Sequence, residues 1–220
     1  MHPIFSRPFG IFDLDHTIFN QRILLKRNFG RFFQRTYGIP PQVSMRLFDT
    51  AGHLPLEERF RLVLQQHRHS TSSLSQDLAR FWELVAADRP VVYEAAREVL
   101  QLCRNRGIVL FGTTDLSEEV MQQKLVTTRL DSLFSRVCGQ ETGPKGLPHL
   151  TVFAQTVSLP LSSFIAQAFY VVGNLKDLAI ARAQGIYSVG IAHTVSPDDL
   201  RQHGADQVHS FIGILLQDQT

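Results

Sequence analysis

Residues 9–19 read FGIFDLDHTIF, and the fold turns on how that stretch is parsed. Gly10, Ile11 and Phe12 form a short apolar run, bounded by Pro8 behind and by acids ahead. A fully buried strand of a parallel sheet has this look, although over so few residues a buried helical turn shares it. The run stops at Asp13-Leu14-Asp15-His16-Thr17. In an open α/β sheet, ligands bind beyond the carboxyl ends of the strands, which is where these residues would sit. Asp13 and Asp15 are two apart, so on extended chain they point the same way. Like charges that close are costly unless a cation or a proton intervenes. The stretch therefore points to a divalent metal, or to two carboxylates in different protonation states. The plain alternative is a solvated strand-to-loop junction with Thr17 as a helix cap, because short motifs match by chance.

Apolar runs of the same kind recur downstream. Residues 108–111 (IVLF) lead into Gly112-Thr113-Thr114-Asp115, and a short strand at 136–138 leads into a polar loop, 139–148, that carries Lys145. Residues 169–172 (FYVV) end in Gly173-Asn174-Leu175-Lys176-Asp177, and 186–191 reads as the next strand. Helical stretches alternate with them: 91–106 closed by Gly107, 149–157, and 178–184 closed by Gly185. Asp115 and Glu118 have the spacing of a capping box for a helix between the second and third strands. Ser196-Pro197-Asp198-Asp199 is a well-formed helix start, and the tail 207–217 reads as a last short strand and helix. Strands alternating with helices imply an α/β fold built on a doubly wound parallel sheet.

One segment breaks the alternation. Leu25, Phe29, Phe32, Phe33 and Thr36 recur at helical spacing, and Gly38 with Pro40-Pro41 stops that helix. Further helices are expected at 42–50, 56–67 and 73–87, with no strand pattern between 20 and 90. The expected organisation is a core of residues 1–19 and 89–220 with an α-helical insert at 20–88. Arg27, Arg31 and Arg35 form one basic stripe on the first insert helix, either a solvated face or a steering surface for an anion. Trp82 is expected in the core.

Composition sets outer limits. The 220 residues are 44% hydrophobic and 19% charged, an ordinary globular mixture. No run approaches the roughly 20 apolar residues of a membrane span, and MHPIFSRPFG lacks the marks of a signal peptide. Cys103 and Cys138 have no metal-type spacing and read as buried, reduced thiols. A cytoplasmic protein is expected, with neither membrane nor nucleic acid as partner. The net charge of +2 is too small to argue for nucleic acid, although the insert carries 10 Lys/Arg against 6 Asp/Glu. The nine histidines show no recognisable metal spacing and read as structural or surface residues.

In a parallel sheet the four polar strand ends gather at one edge. Asp13 and Asp15, Thr113 and Thr114, Lys145, and Asn174 with Asp177 would together suit a metal ion and a phosphoryl group. Their order and spacing resemble the haloacid dehalogenase superfamily over almost the whole chain. Its D-x-D-x-T motif is matched by Asp13, Asp15 and Thr17, its Ser/Thr after an apolar strand by Thr113, and its lysine before a helix by Lys145. Its acidic pair after a glycine is matched in part by Asn174 and Asp177. The insert resembles the family's small α-helical cap.

The resemblance implies a Rossmann-like core and a Mg²⁺-dependent phosphatase acting on a small phosphorylated metabolite, of nucleotide, phosphoglycolate or sugar phosphate type. A monomer or homodimer is expected. Asp13 would attack phosphorus to form an aspartyl phosphate, and Asp15 would protonate the leaving oxygen and later activate water. Mg²⁺ would bind the Asp13 carboxylate, the Asp15 backbone carbonyl and the fourth motif, with Asp177 charged and Asn174 offering at most a neutral carbonyl. Thr113 and Lys145 would hold the phosphoryl oxygens, with Thr114 the other candidate hydroxyl. Arg22 and Lys26 in the insert are candidate substrate contacts. Asp15 favours a phosphatase over a dehalogenase, since a halide leaving group needs no proton. Two departures stand out: Gly173-Asn174-Leu175-Lys176-Asp177 replaces G-D-x-x-x-D, one acid fewer and one residue shorter, and Lys145-Gly146 replaces a common Lys-Pro. They leave open a weakened or inactive, phosphate-binding or regulatory relative.

Overall fold

The computed structural model describes residues 3–52 and 54–216. His53, between two insert helices, and Gln217, at the end of the tail segment, lie outside the described residues. The chain divides into two compact units, Gln21–Val91 and the combination of Met1–Asn20 with Val92–Thr220.

The first strand, β1 (Phe9–Asp13), precedes the helical unit. That unit holds α1 (Gln21–Tyr37), α2 (Pro41–Thr50), α3 (Leu56–Gln66) and α4 (Leu74–Ala87), and no strand among its described residues. Its core is aromatic: Phe29, Phe33 and Phe60 are fully buried, with Phe60 5.0 Å from each of the other two rings. Such ring pairs add about 0.5–1.5 kcal/mol beyond the area they bury. Thr36, expected on the apolar stripe of α1, is exposed. Trp82 is also not a core residue; it is 50% exposed. Two members of the basic stripe are ion-paired: Arg27 and Arg31 meet Asp88 at 2.7 and 3.0 Å. Asn28 donates to the same carboxylate oxygen at 2.9 Å.

The α/β unit continues with α5 (Ala96–Asn105), β2 (Val109–Thr113), α6 (Glu118–Thr128), β3 (Arg136–Cys138), α7 (Leu147–Thr156) and α8 (Leu161–Gln167). It closes with β4 (Ala168–Val172), α9 (Leu175–Gln184), β5 (Tyr187–Ile191), α10 (Pro197–Gln202) and β6 (Gln207–His209). The six strands form one sheet in the order β3-β2-β1-β4-β5-β6, every pair parallel. This is a Rossmann-like α/β fold. Side chains alternate across it: Phe12, Leu110, Phe169 and Val171 pack on one face, Ile11, Phe111, Tyr170 and Val172 on the other. Truncating a filled position such as Phe12 to alanine is expected to cost about 3–5 kcal/mol.

Several element boundaries differ from expectation. The helix expected from 91 begins at Ala96, because Val92 bridges to Phe19 and Ala95 takes a left-handed φ of 62°. The cap of α6 is Ser117, whose hydroxyl accepts from the Val120 amide at 3.3 Å, so Asp115 is free of that duty. Helix α8 was not expected. The tail strand is followed by a 3₁₀ turn, Ile212–Leu216, and not by an α-helix.

Candidate active site

Asp13 is the last residue of β1, in register with Thr113 at the end of β2. The chain then makes one π-helical turn, Leu14–Ile18, which returns it across the sheet edge. Gly173, at the end of β4, packs so closely on this turn that a Cβ would lie 2.6 Å from the His16 carbonyl oxygen. A side chain there would push the two strand ends apart. Thr194, in the turn that follows β5, ties the same junction by donating to the Gly173 carbonyl at 2.7 Å. The His16 side chain itself is exposed.

Asp13 is fully buried, and its oxygens are approached from three sides. Lys145 Nζ donates to Oδ1 at 2.7 Å, Asn174 Nδ2 to Oδ2 at 3.2 Å, and Thr17 Oγ1 lies 3.5 Å from Oδ2. Burial raises the carboxyl to about 7; Lys145 opposes the rise and Asp177 adds to it. Lys145 also reaches Asp177 Oδ2 at 3.0 Å and has a side chain only 2% exposed. Its burial disfavours the ammonium, but the charges of Asp13 and Asp177 outweigh that and raise it, so it stays cationic. Gly146 explains the departure from Lys-Pro. Its φ of 120° lies far from the −65° or so that a proline ring imposes, and the proline stands instead at Pro148, in the first turn of α7.

The two candidate hydroxyls have separate partners. Thr114 Oγ1 donates to Asp15 Oδ2 at 2.5 Å and accepts from the Leu116 amide at 3.0 Å. Thr113 Oγ1 lies 2.7 Å from His149 Nδ1. His149 Nε2 faces the carbonyls of Gly139 and Gly143 at 3.1 and 3.0 Å, so it carries the ring proton. Burial lowers the imidazole and keeps it neutral, which leaves Nδ1 to accept from Thr113. Tyr170 is buried one row below Asp13 on the same face, where burial and the charges of Asp177 and Asp13 raise its phenol. Each threonine has a single proton, and both protons are engaged within the protein. Lys124, from α6, stands 3.7 Å from Asp15 Oδ1 and 5.7 Å from the centre of the Phe19 ring.

Asn174 caps α9: its Oδ1 accepts from the Asp177 amide at 2.8 Å. That bond fixes the amide orientation and turns Nδ2 toward Asp177 Oδ2, at 2.6 Å, and toward Asp13. The expected carbonyl ligand is therefore directed away from the site, and an NH₂ group faces it. Asp177 Oδ1 is buried with no hydrogen-bond partner, and a cation could bind there. Mg²⁺, however, demands near-octahedral oxygen donors at about 2.0–2.1 Å. The Lys145 ammonium and the Asn174 NH₂ group already stand on the Asp13 and Asp177 oxygens that would face such an ion. Rotating Asn174 to present oxygen would set its NH₂ against the Asp177 N–H, donor against donor. The donor set does not fit the Mg²⁺ that the motif pattern implies.

Asp13, Asp15, Thr113, Thr114, Lys145, Asn174 and Asp177 thus share one edge of the sheet. Arg22 and Lys26 are both held by Asp49 within the helical unit, Arg22 at 3.2 Å. His149, Tyr170 and Lys124 belong to the site's surroundings and are not marked by any motif. Tyr170 hides in an apolar strand, His149 resembles any structural histidine, and Lys124 lies mid-helix.

The chain belongs to the haloacid dehalogenase-like hydrolase family, which it matches over residues 10–191. It is a hydrolase. No curated relative matches it significantly. A haloacid dehalogenase-like hydrolase from Streptococcus pneumoniae is 20% identical, with a TM-score of 0.65 over 97% of this chain and 99% of the other. A protein assigned as a phosphatase from Clostridium difficile is 15% identical, with a TM-score of 0.71 over 96% and 98% of the two chains. One assigned as a β-phosphoglucomutase from Thermotoga maritima is 18% identical, with a TM-score of 0.70 over 94% and 96%. At these identities the likeness is one of fold. No helix among the described residues is long and apolar enough to cross a membrane.

Proposed function

We propose that the chain hydrolyses small phosphomonoesters through an aspartyl-phosphate intermediate on Asp13. The reading is carried by the pairing at the β1 exit: a buried Asp13 held by Lys145 at 2.7 Å, with Asp15 two residues on and hydrogen-bonded by Thr114 at 2.5 Å. An Asp13 oxygen attacks phosphorus, the ester P–O bond breaks, and Asp15 delivers a proton to the departing alkoxide. Asp15, now a carboxylate, takes a proton from water as that water attacks phosphorus. The P–O bond to Asp13 breaks, releasing orthophosphate. Lys145 offsets charge on Asp13 and on the transferring group, a reaction in which positioning and electrostatics supply most of the acceleration.

The helical unit is, in this reading, the cap that selects the leaving group, with nucleotides, phosphoglycolate and sugar phosphates as the substrate classes to try. Hydrolysis of a generic aryl phosphate, followed by a panel of such metabolites, tests the proposal. Turnover lost with Asp13→Asn supports it, and wild-type turnover in that variant rejects it. A second reading, a phosphate-binding relative without turnover, is favoured by the engagement of both threonine protons. It would take the lead if inorganic phosphate binds but no ester is hydrolysed.

A further inference from the structure

We infer that the phosphoryl site is complete without a divalent cation, with the Asn174 amide and the Lys145 ammonium giving Asp13 the neutralisation a metal would otherwise provide. The inference rests on the reading of this sheet edge as a phosphoryl site, and it follows from polarity at a single position. Asn174 Oδ1 is committed to the Asp177 amide at 2.8 Å, so the other end of the side chain faces Asp13. An aspartate placed there would cap the helix with one oxygen and offer the second to a cation. Asparagine, of nearly the same shape, offers two N–H groups, and one of them already donates to Asp13 at 3.2 Å. A metal bridging Asp13 and this position would have to stand among those hydrogens.

The charge balance changes in the same direction. With aspartate at 174, three buried carboxylates would surround Lys145, leaving two uncompensated negative charges and a strong demand for a divalent ion. With asparagine, the two buried carboxylates Asp13 and Asp177 share Lys145, at 2.7 and 3.0 Å, and that buried set carries one negative charge; the exposed Asp115 lies 3.8 Å from the same ammonium. Two further amino groups border the edge: Lys124 at 3.7 Å from Asp15, and Lys176, from the same turn as Asn174, at 3.1 Å from Asp115. This turn thus carries an amide where a carboxylate would stand, with Lys176 two residues further on. The positive charge of this site is carried by lysines.

The test uses full-length protein stripped with EDTA and titrated calorimetrically with inorganic phosphate, in the presence of EDTA or of excess Mg²⁺. A second titration adds Mg²⁺ alone to wild type and to Asn174→Asp, a change that keeps a good helix cap. Phosphate affinity of the wild type is expected to differ by less than about twofold between the two conditions. Mg²⁺ alone is expected to bind Asn174→Asp about 10–100-fold more tightly than wild type, the scale on which single residues around a metal act. Phosphate binding to wild type that requires Mg²⁺ overturns the inference and leaves the phosphoryl reading intact. Phosphate binding without Mg²⁺ but with no ester turnover supports the inference and rejects the hydrolytic mechanism. Phosphate binding in neither condition overturns both.

Discussion

The carboxyl ends of β1 and β4 are neighbours in the sheet, yet they present opposite chemistry to the space they share. The β1 end delivers acceptors, the carboxylates of Asp13 and Asp15. The β4 end delivers a donor, the Asn174 amide, ahead of Asp177. Both ends are placed by the same devices: parallel pairing, Gly173 packed against the His16 carbonyl, and a helix starting directly beyond the strand. Position is therefore set by the fold, while the polarity of each position is set by one atom of one side chain. Replacing an oxygen by an NH₂ group at the cap of α9 leaves the architecture alone and changes what the edge can bind.

The largest effect is expected at the acceptor end. Asp13→Asn should lower turnover by about 10⁴-fold or more, the scale on which lost nucleophiles act, with the far-ultraviolet circular dichroism unchanged. The same variant carries a stability signature. A folded-state carboxyl raised to about 7, above its ordinary 3.8, favours the neutral form in the folded chain. Its contribution is fully present below the unfolded value and is lost as pH rises through the folded one. Asp13→Asn should therefore melt higher than wild type above pH 7, by roughly 2–4 °C per kcal/mol relieved, and lose that advantage in acid. An advantage that grew in acid would contradict the burial of a reluctant carboxylate.

Asp15→Asn comes next. It should cost about 10²–10⁴-fold with alkyl phosphates, whose leaving group needs a proton, and much less with aryl phosphates. Equal losses on both would mean that Asp15 positions Thr114 and carries no proton. Smaller again is the pH effect on wild type: kcat/KM should climb about tenfold per pH unit toward pH 7 and level off above it as Asp13 ionises. The smallest effect belongs to the layer beneath the edge. His149→Phe leaves the Gly139 and Gly143 carbonyls without their donor, so stability should fall by about 1–3 kcal/mol in denaturant titration.

The strands were legible because fully buried parallel strands read as unbroken apolar runs, and FGIF, IVLF and FYVV are such runs. Their ends were legible too, since glycine and polar residues interrupt each run where the sheet stops. The first turn of α5 was not, because nothing in the sequence marks the pairing of Val92 with Phe19. Nor was α8, whose seven residues are too few to show a period. Within the candidate site, the carboxylates and both threonines were legible because each lies at or just past a strand end, and Lys145 because it follows in the polar loop between β3 and α7. Spacing could not show that both hydroxyl protons are taken, by His149 for Thr113 and by Asp15 for Thr114, since those partners lie 36 and 99 residues away. Tyr170 sat unnoticed within FYVV, where its ring counts as one more buried side chain and its hydroxyl leaves no trace in the pattern. The direction of the Asn174 amide was hidden for a related reason: it is decided by the helix cap, a three-dimensional contact.

The covalent role of Asp13 is tested most directly by stereochemistry. A phosphate monoester made chiral at phosphorus with oxygen isotopes is hydrolysed in isotopically labelled water, and the configuration of the released phosphate is read by phosphorus NMR. Two successive in-line displacements, first by Asp13 and then by water, predict retention of configuration. Inversion would mean that water attacks the ester directly and that Asp13 never bonds to phosphorus.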